Sequence, residues 1–410
     1  MSEPVTGPGR RPARAGLTRR GLLSAGAAVT GALAARALAA PAPADAATPA
    51  AASGTAIEPF HGPHQAGIAT TPQAHAVFIG LDLRKGVDQE AIGRMMRLLT
   101  DDARRLSEGR PALADTEPEL AVLAARLTVT FGFGPGLFTA AGAADRRPGQ
   151  IEQLPGFSID KLQERWSGGD LLVQICADDP LTVAHALRVI VKDARAFARV
   201  HWTQRGFRRA VGVQAFGQTQ RNVMGQLDGT VNPIPGTPDF DRAVWVGEGP
   251  DWLHGGTTLV LRRIRAEMET WDAADRVAKE FTVGRRLDTG APLTGTREHD
   301  EPDFTKLNDA GLTVISEYAH IRRAHTEDPA LRMFRRVYNY DEGLTSNGHA
   351  DSGLLFSSYQ ADITRQFLPV QKRLAEVDLL NEWTTPIGSA VFAVPPGCGP
   401  GGWIGEGLLT

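Results

Sequence analysis

The chain has 410 residues, 42% of them hydrophobic and 22% charged, the make-up of a globular protein too long for one typical core. Its formal net charge is −3, and residues 1–50 carry six arginines against Glu3 and Asp45, which leaves the rest of the chain at −7. An acidic body argues against nucleic acid as a partner, and two cysteines, Cys176 and Cys398, are too few for a disulfide framework or a cysteine-rich metal site.

The first fifty residues read as a leader and linker. A polar, basic start is followed by Leu17-Thr18-Arg19-Arg20-Gly21-Leu22-Leu23 and a mildly apolar Ala/Gly/Leu run to about Ala40. Ala37-Leu38-Ala39 and Ala44-Asp45-Ala46 offer small-residue cleavage sites. These three regions in order make a signal peptide, and the paired arginines read as a twin-arginine signal, which engages export machinery for folded proteins. The apolar run is too short and weak for a membrane span, so the mature chain is expected to have none and to lie outside the cytoplasm, whether extracellular, periplasmic or in the cell envelope. Residues 41–55 are an Ala/Pro/Thr-rich linker.

Residues 56–218 follow a strand–helix pattern. His75–Leu83 is β-like, and Ile92, Met95, Met96 and Leu99 then share one helical face. Leu127–Phe133 and Leu171–Cys176 are the next strands. Val183, Leu187, Ile190, Ala194 and Phe197 line a second helix, and Ala210–Phe216 reads as a fourth strand. Residues 219–410 repeat the order. Thr257–Ile264 is a strand, a helix spans Trp271–Phe281, and Leu312–Tyr318 and Leu354–Tyr359 are strands. A long helix covers Ile363–Trp383, and Ser389–Val394 closes the unit. The fold class is α+β, with two fused ferredoxin-like units, β-α-β-β-α-β each, built on antiparallel sheets. Such units host many functions, so the chemistry has to come from particular side chains.

Three groups stand out. Asp228 sits between Gly225 and Gly229, which permit positive φ and close backbone approach, and is followed by Thr230 and Asn232-Pro233. An Asx-turn in a surface loop is the plain alternative. His320, within Tyr318-Ala319-His320-Ile321-Arg322, is a candidate iron ligand or a hydrogen-bonded structural histidine. No His-Glu-x-x-His or paired-cysteine spacing suggests zinc, and no Cys-x-x-Cys-His suggests covalent haem. Arg335-Arg336 lies between Met333-Phe334 and Val337-Tyr338, so at least one guanidinium must turn inward and needs an anion: a cofactor carboxylate, a polarised ligand, Asp228 or a structural partner.

Together, Gly225-x-x-Asp228-Gly229 with Thr230 and Asn232-Pro233, His320-Ile321-Arg322 and Arg335-Arg336 resemble the dye-decolourising peroxidase family, in particular its exported, deferrochelatase-like subgroup. The likeness runs from Phe60-His61-Gly62-Pro63-His64-Gln65-Ala66-Gly67-Ile68 to Val391-Phe392-Ala393-Val394-Pro395-Pro396-Gly397. It implies one non-covalent haem b in the C-terminal unit, with His320 as the proximal iron ligand. Asp228 and Arg335 would be the catalytic pair on the opposite face. Gly229, Thr230, Val231, His325, Thr326, Glu327 and Arg335 would contact the haem, although the family commonly shows Asn-Pro where this chain has His325-Thr326. Asp362 is the implied acceptor for the other ring nitrogen of His320. The implied reaction uses hydrogen peroxide to oxidise dyes, phenols or other bulky organic electron donors through a ferryl intermediate. Tyr318, Tyr338, Tyr340 and Trp383 are candidates for carrying electrons from donors too large to enter the pocket. Removal or carriage of haem iron is the alternative activity, and the resemblance allows a homo-oligomer.

Overall fold

Strand order is the feature that places the site. In a computed structural model describing residues 53–215 and 217–410, the first half runs β1 (His75–Leu83), α1 (Gln89–Ser107), β2 (Thr128–Phe133), α2 (Pro135–Ala140), β3 (Leu171–Ala177), α3 (Pro180–Ala194) and β4 (Ala198–Phe207). Its sheet order is β4-β1-β3-β2. The second half runs α4 (Pro238–Val244), β5 (Thr257–Ala266), α5 (Met268–Ala273), α6 (Arg276–Val283), α7 (His320–Ala324), β6 (Phe334–Arg335), β7 (Tyr338–Leu344), β8 (Ala350–Gln360), α8 (Phe367–Val377), β9 (Thr384–Val394) and α9 (Glu406–Leu409). Its order is β7-β8-β5-β9, the same ferredoxin-like arrangement. Single-residue pairings, Phe133↔Ala393 and Phe207↔Asn339, join the two sheets edge to edge, and all pairings between these strands are antiparallel. The leader, with Arg19, Arg20 and both cleavage candidates, lies outside the described residues, as does Phe216. Among the described residues no helix is long and apolar enough to cross a membrane.

Local sequence explains the regular elements. Asp88 caps α1 by accepting from the Ala91 amide, Glu90 occupies the first turn, and Arg104 and Arg105 the last, each charge opposing the adjacent end of the helix dipole. Asp179 caps α3 in the same way, with Pro180 at its first position. Strand alternation divides the core. Val77, Ile79 and Leu81 of β1 pack with the buried faces of α1 and α3, whereas Ala76 and Phe78 join Trp202, Tyr338, Tyr340 and Phe392 in a second cluster. Between α1 and α3, burial and the neighbouring Asp193 carboxylate push the Asp102 pKa up to about 7.

Several expected elements are corrected. The fourth strand is Ala198–Phe207, not Ala210–Phe216. Arg199, His201 and Arg205 fall on its outward positions and hide the apolar alternation, while residues 210–215 form an exposed turn with Gly212 at φ 84. The second strand of the C-terminal half is β7, preceded by β6, not Leu312–Tyr318. That segment follows a turn at Gly311 (φ 75), and Leu312 is exposed. The Trp271–Phe281 helix breaks into α5 and α6, because Asp275 caps a new helix through the Ala278 amide. The Ile363–Trp383 helix shortens to α8, followed by a 3-10 turn over Leu379–Glu382 that Asp378 caps.

Candidate active site

The helices α7 and α8 and the loop after β4 cover one face of the second sheet, and a cavity of about 300 Å³ lies between them. Its walls are largely apolar, with Ile264 from β5, Leu354 and Phe356 from β8, and Val370 and Leu374 from α8. Polar and charged side chains also line it, among them Asp228, Arg285, His320 and Arg335, so an apolar surface and convergent polar groups meet in one cavity, as in small-molecule sites.

The Asp228 loop lines the cavity from Gln226 to Val231. Arg221 bridges to Leu227, the Asp228 amide donates to the Gln220 carbonyl at 2.9 Å, and the chain turns through Gly225 at φ 84 and Gly229 at φ 120. A side chain at Gly229 would be strained, so the Asp-Gly order is a backbone requirement here. The Asp228 carboxylate stands 3.4 Å from Nη1 of Arg335, with 12% and 23% of the two side chains exposed. Gly229, Thr230, Val231, His325 and Thr326 all line the cavity, and Thr230 Oγ1 donates to Glu298 at 2.9 Å. Glu327 does not line it: its side chain points to solvent, because the segment turns outward after Thr326.

His320 begins α7 and lines the same cavity, with 28% of its side chain accessible from it. Its Nδ1 donates to the Asp378 carboxylate at 2.6 Å. Burial opposes protonation of the ring, but Asp378 outweighs it and lifts the His320 pKa above its ordinary value. The expected partner, Asp362, is corrected. Its Oδ1 instead accepts from the Thr364 amide and hydroxyl at 2.7 and 2.6 Å, closing the turn that leads into α8. Asp378 was hidden by the expectation of an unbroken helix. Where α8 ends, its other oxygen accepts from the Leu380 amide at 2.9 Å, which turns the carboxylate inward.

Arg285 was also missed. It is buried, lines the cavity, and donates to the Gly290 and Glu298 carbonyls at 2.7 and 2.8 Å. Burial, reinforced by the nearby Arg335, lowers its pKa. A Gly-Arg-Arg run ahead of Asp288-Thr289-Gly290 was its sole sequence signal.

These residues fit a haem. A histidine backed by a buried carboxylate lines a cavity with largely apolar walls and has one ring nitrogen left free of that carboxylate, and an acid beside a guanidinium lines the same cavity. That set defines the class of histidine-ligated haem peroxidases. The comparisons specify the family. The family model "Dyp-type peroxidase, N-terminal" matches residues 65–208 and "Dyp-type peroxidase, C-terminal" matches residues 219–399. A dye-decolorizing peroxidase of Thermobifida fusca (strain YX) is 40% identical over 84% of this chain and 83% of its own. A deferrochelatase of Yersinia pestis is 36% identical over 83% of this chain and 82% of its own. The crystal structure of a DyP-type peroxidase from Cellulomonas bogoriensis is 50% identical, covers 88% of this chain and 99% of that one, and superposes with a TM-score of 0.85. The chain belongs to the DyP-type peroxidase family, and is a haem-dependent oxidoreductase working with a single haem b.

Proposed function

We propose that Asp228 is the proton-transfer group of this peroxidase and Arg335 its charge stabiliser, and that His320 would ligate the haem iron. The observation that carries this reading is the 3.4 Å Asp228–Arg335 pair lining the same cavity as His320. Bound here, haem b would supply the redox chemistry of peroxide reduction. Asp228 lines the cavity beside Arg335, where its carboxylate can accept a proton from one peroxide oxygen and return it to the other, directly or through a water. Arg335 places fixed positive charge where negative charge develops on the breaking O–O bond. Asp378 fixes the orientation of the His320 ring through Nδ1 and strengthens it as an electron donor. Gly229, Thr230, Val231, His325 and Thr326 would hold the haem rim, and Glu327 is left out of that set.

The electron donors are dyes, phenols or other bulky organic molecules that meet the protein at its surface. Of the candidate relay residues, Tyr338 and Tyr340 are fully buried, Tyr318 is half exposed, and Trp383 packs edge-on to Trp271 with ring centroids 5.3 Å apart. Tyr318, two residues before His320, is the best placed to meet a donor. Some relatives carry the name deferrochelatase. Iron removal has no evident need for a paired acid and guanidinium, so that pair favours peroxide chemistry here. The leader, with Arg19 and Arg20, supports export of the folded protein by the twin-arginine route. The assignment is tested by stopped-flow mixing of peroxide with the holoprotein. Asp228→Asn should slow peroxide cleavage by about 10²–10⁴-fold, and Arg335→Leu should be at least as damaging. Wild-type rates in both variants would remove this face from catalysis.

A further inference from the structure

We propose that Asn232 is the positioning residue that holds the Arg335 guanidinium against Asp228, an inference that rests on the reading of that pair given above. Asn232 and Pro233 follow Asp228 closely, yet nothing in the chemistry above uses them. The preceding-proline position favours extended backbone, and Pro233 is buried, so Asn232 is fixed at the end of its loop. Its amide donates to the Gly229 carbonyl at 2.9 Å, closing the turn that follows Asp228.

The side chain of Asn232 reaches the other partner. Its Nδ2 donates to the Arg335 carbonyl at 2.7 Å, and its Oδ1 accepts from the Arg335 amide at 3.1 Å. The pairing Phe334↔Tyr359 and Arg335↔Ser358 continues in the same register through Tyr338↔Leu355, and the Arg336 amide donates to the Ser357 carbonyl at 2.9 Å. In an antiparallel ladder hydrogen-bonding direction alternates, so the Arg335 N–H and C=O point away from β8. Without a further strand they would be unpaired at a part-buried edge, at a cost comparable to a lost hydrogen bond. The Asn232 amide stands in for that strand, because it offers one donor and one acceptor side by side. Asp lacks the donor, Ala lacks both, and Gln is one methylene too long. The same Oδ1 lies 3.4 Å from Nε of Arg335, which orients the guanidinium plane with Nη1 towards Asp228. One residue is thus joined by its backbone to the turn of the acid and by its side chain to the cation.

The test is fluoride titration of the ferric holoprotein across a pH series, since a small anion in the distal cavity reports the placement of Arg335. Asn232→Ala should load haem with an unchanged histidine-type spectrum and bind fluoride about tenfold more weakly, the worth of one hydrogen bond to a charged group. Arg335→Leu should weaken fluoride at least as much, and the double variant should lose nothing beyond Arg335→Leu. If Asn232→Ala fails to load haem, Asn232→Gln, which keeps the amide but displaces it, should show a smaller loss, likewise absent in the Arg335→Leu background. Wild-type fluoride affinity in the Asn232 variant, or losses that add in the double variant, would overturn the positioning role and leave the catalytic pair standing. Wild-type affinity in Arg335→Leu would overturn the pair and this inference with it.

Discussion

Asp378→Asn tests the iron-ligand assignment at the point where structure and sequence reading disagree. The Asp378 side chain is 3% exposed and its carboxylate serves two donors, His320 Nδ1 at 2.6 Å and the Leu380 amide at 2.9 Å. Asparagine has one acceptor oxygen, so either His320 or Leu380 is left facing an amide N–H₂. A hydrogen bond to a charged acceptor contributes about 1.5–3 kcal/mol and a neutral one about 0.5–1.5, so the substitution removes about 1–1.5 kcal/mol even where His320 keeps the oxygen. That corresponds to about tenfold faster haem loss, at the low end of the 10–100-fold typical for residues that orient a metal ligand. If the loss falls on the ferric form alone, the reduction potential rises by about 50 mV. Haem transfer to excess apomyoglobin measures the first effect and spectroelectrochemistry the second. Asp362→Asn is the internal control. Its carboxylate closes a turn at Thr364, so haem retention and potential should stay at wild type. Weakened haem retention in Asp362→Asn with an unaffected Asp378→Asn would refute the assignment of Asp378.

His320→Ala should abolish the histidine-type Soret spectrum or the haem itself, and an intact spectrum would move the ligand elsewhere, with His325 the first suspect. Stability should depend on pH through Asp102, whose pKa is pushed up from 3.8 to about 7. The native state then binds more protons than the unfolded chain between those values, so the stability that Asp102 contributes is fully present below about pH 4 and is lost as pH rises through about 7. Urea melts at pH 4, 5.5 and 7 should show wild type losing stability relative to Asp102→Asn, which is neutral at every pH, as pH rises; a difference that does not change with pH would assign the titration to other groups. Replacing Arg19 and Arg20 together by Lys should retain the protein in the cytoplasm, read by fractionation and immunoblot, whereas undiminished export would mean another pathway reads the leader.

How much of this was legible in the sequence depended on the range of the interaction. Period and capping are local, so β1 over His75–Leu83 and the buried face of α1, from Ile92 to Leu99, could be read directly. The paired glycines around Asp228 are local too, because a positive φ restricts the residue that adopts it. Motif resemblance carried Asp228, His320 and Arg335, and the fold brought all three to one cavity. The strand β4 escaped because its outward positions carry charge, and its place is set by pairing with β1 across the sheet. Asp378 escaped for a stronger reason. It lies 58 residues beyond His320, inside an apparently continuous helical pattern, and only the end of α8 turns its carboxylate inward. Asn232 stood in plain view without a role, because the strand edge it completes is formed by Arg335, 103 residues further on. By itself the sequence determined the helical faces, most of the strands, the glycine-enforced turn and the reactive residue types, all set by neighbours a few positions away. The tertiary structure alone decided which carboxylate backs the histidine and which amide holds the arginine, because those partners are chosen by where the chain returns in space, and side-chain hydrogen bonds act over about 3 Å whatever the separation in sequence.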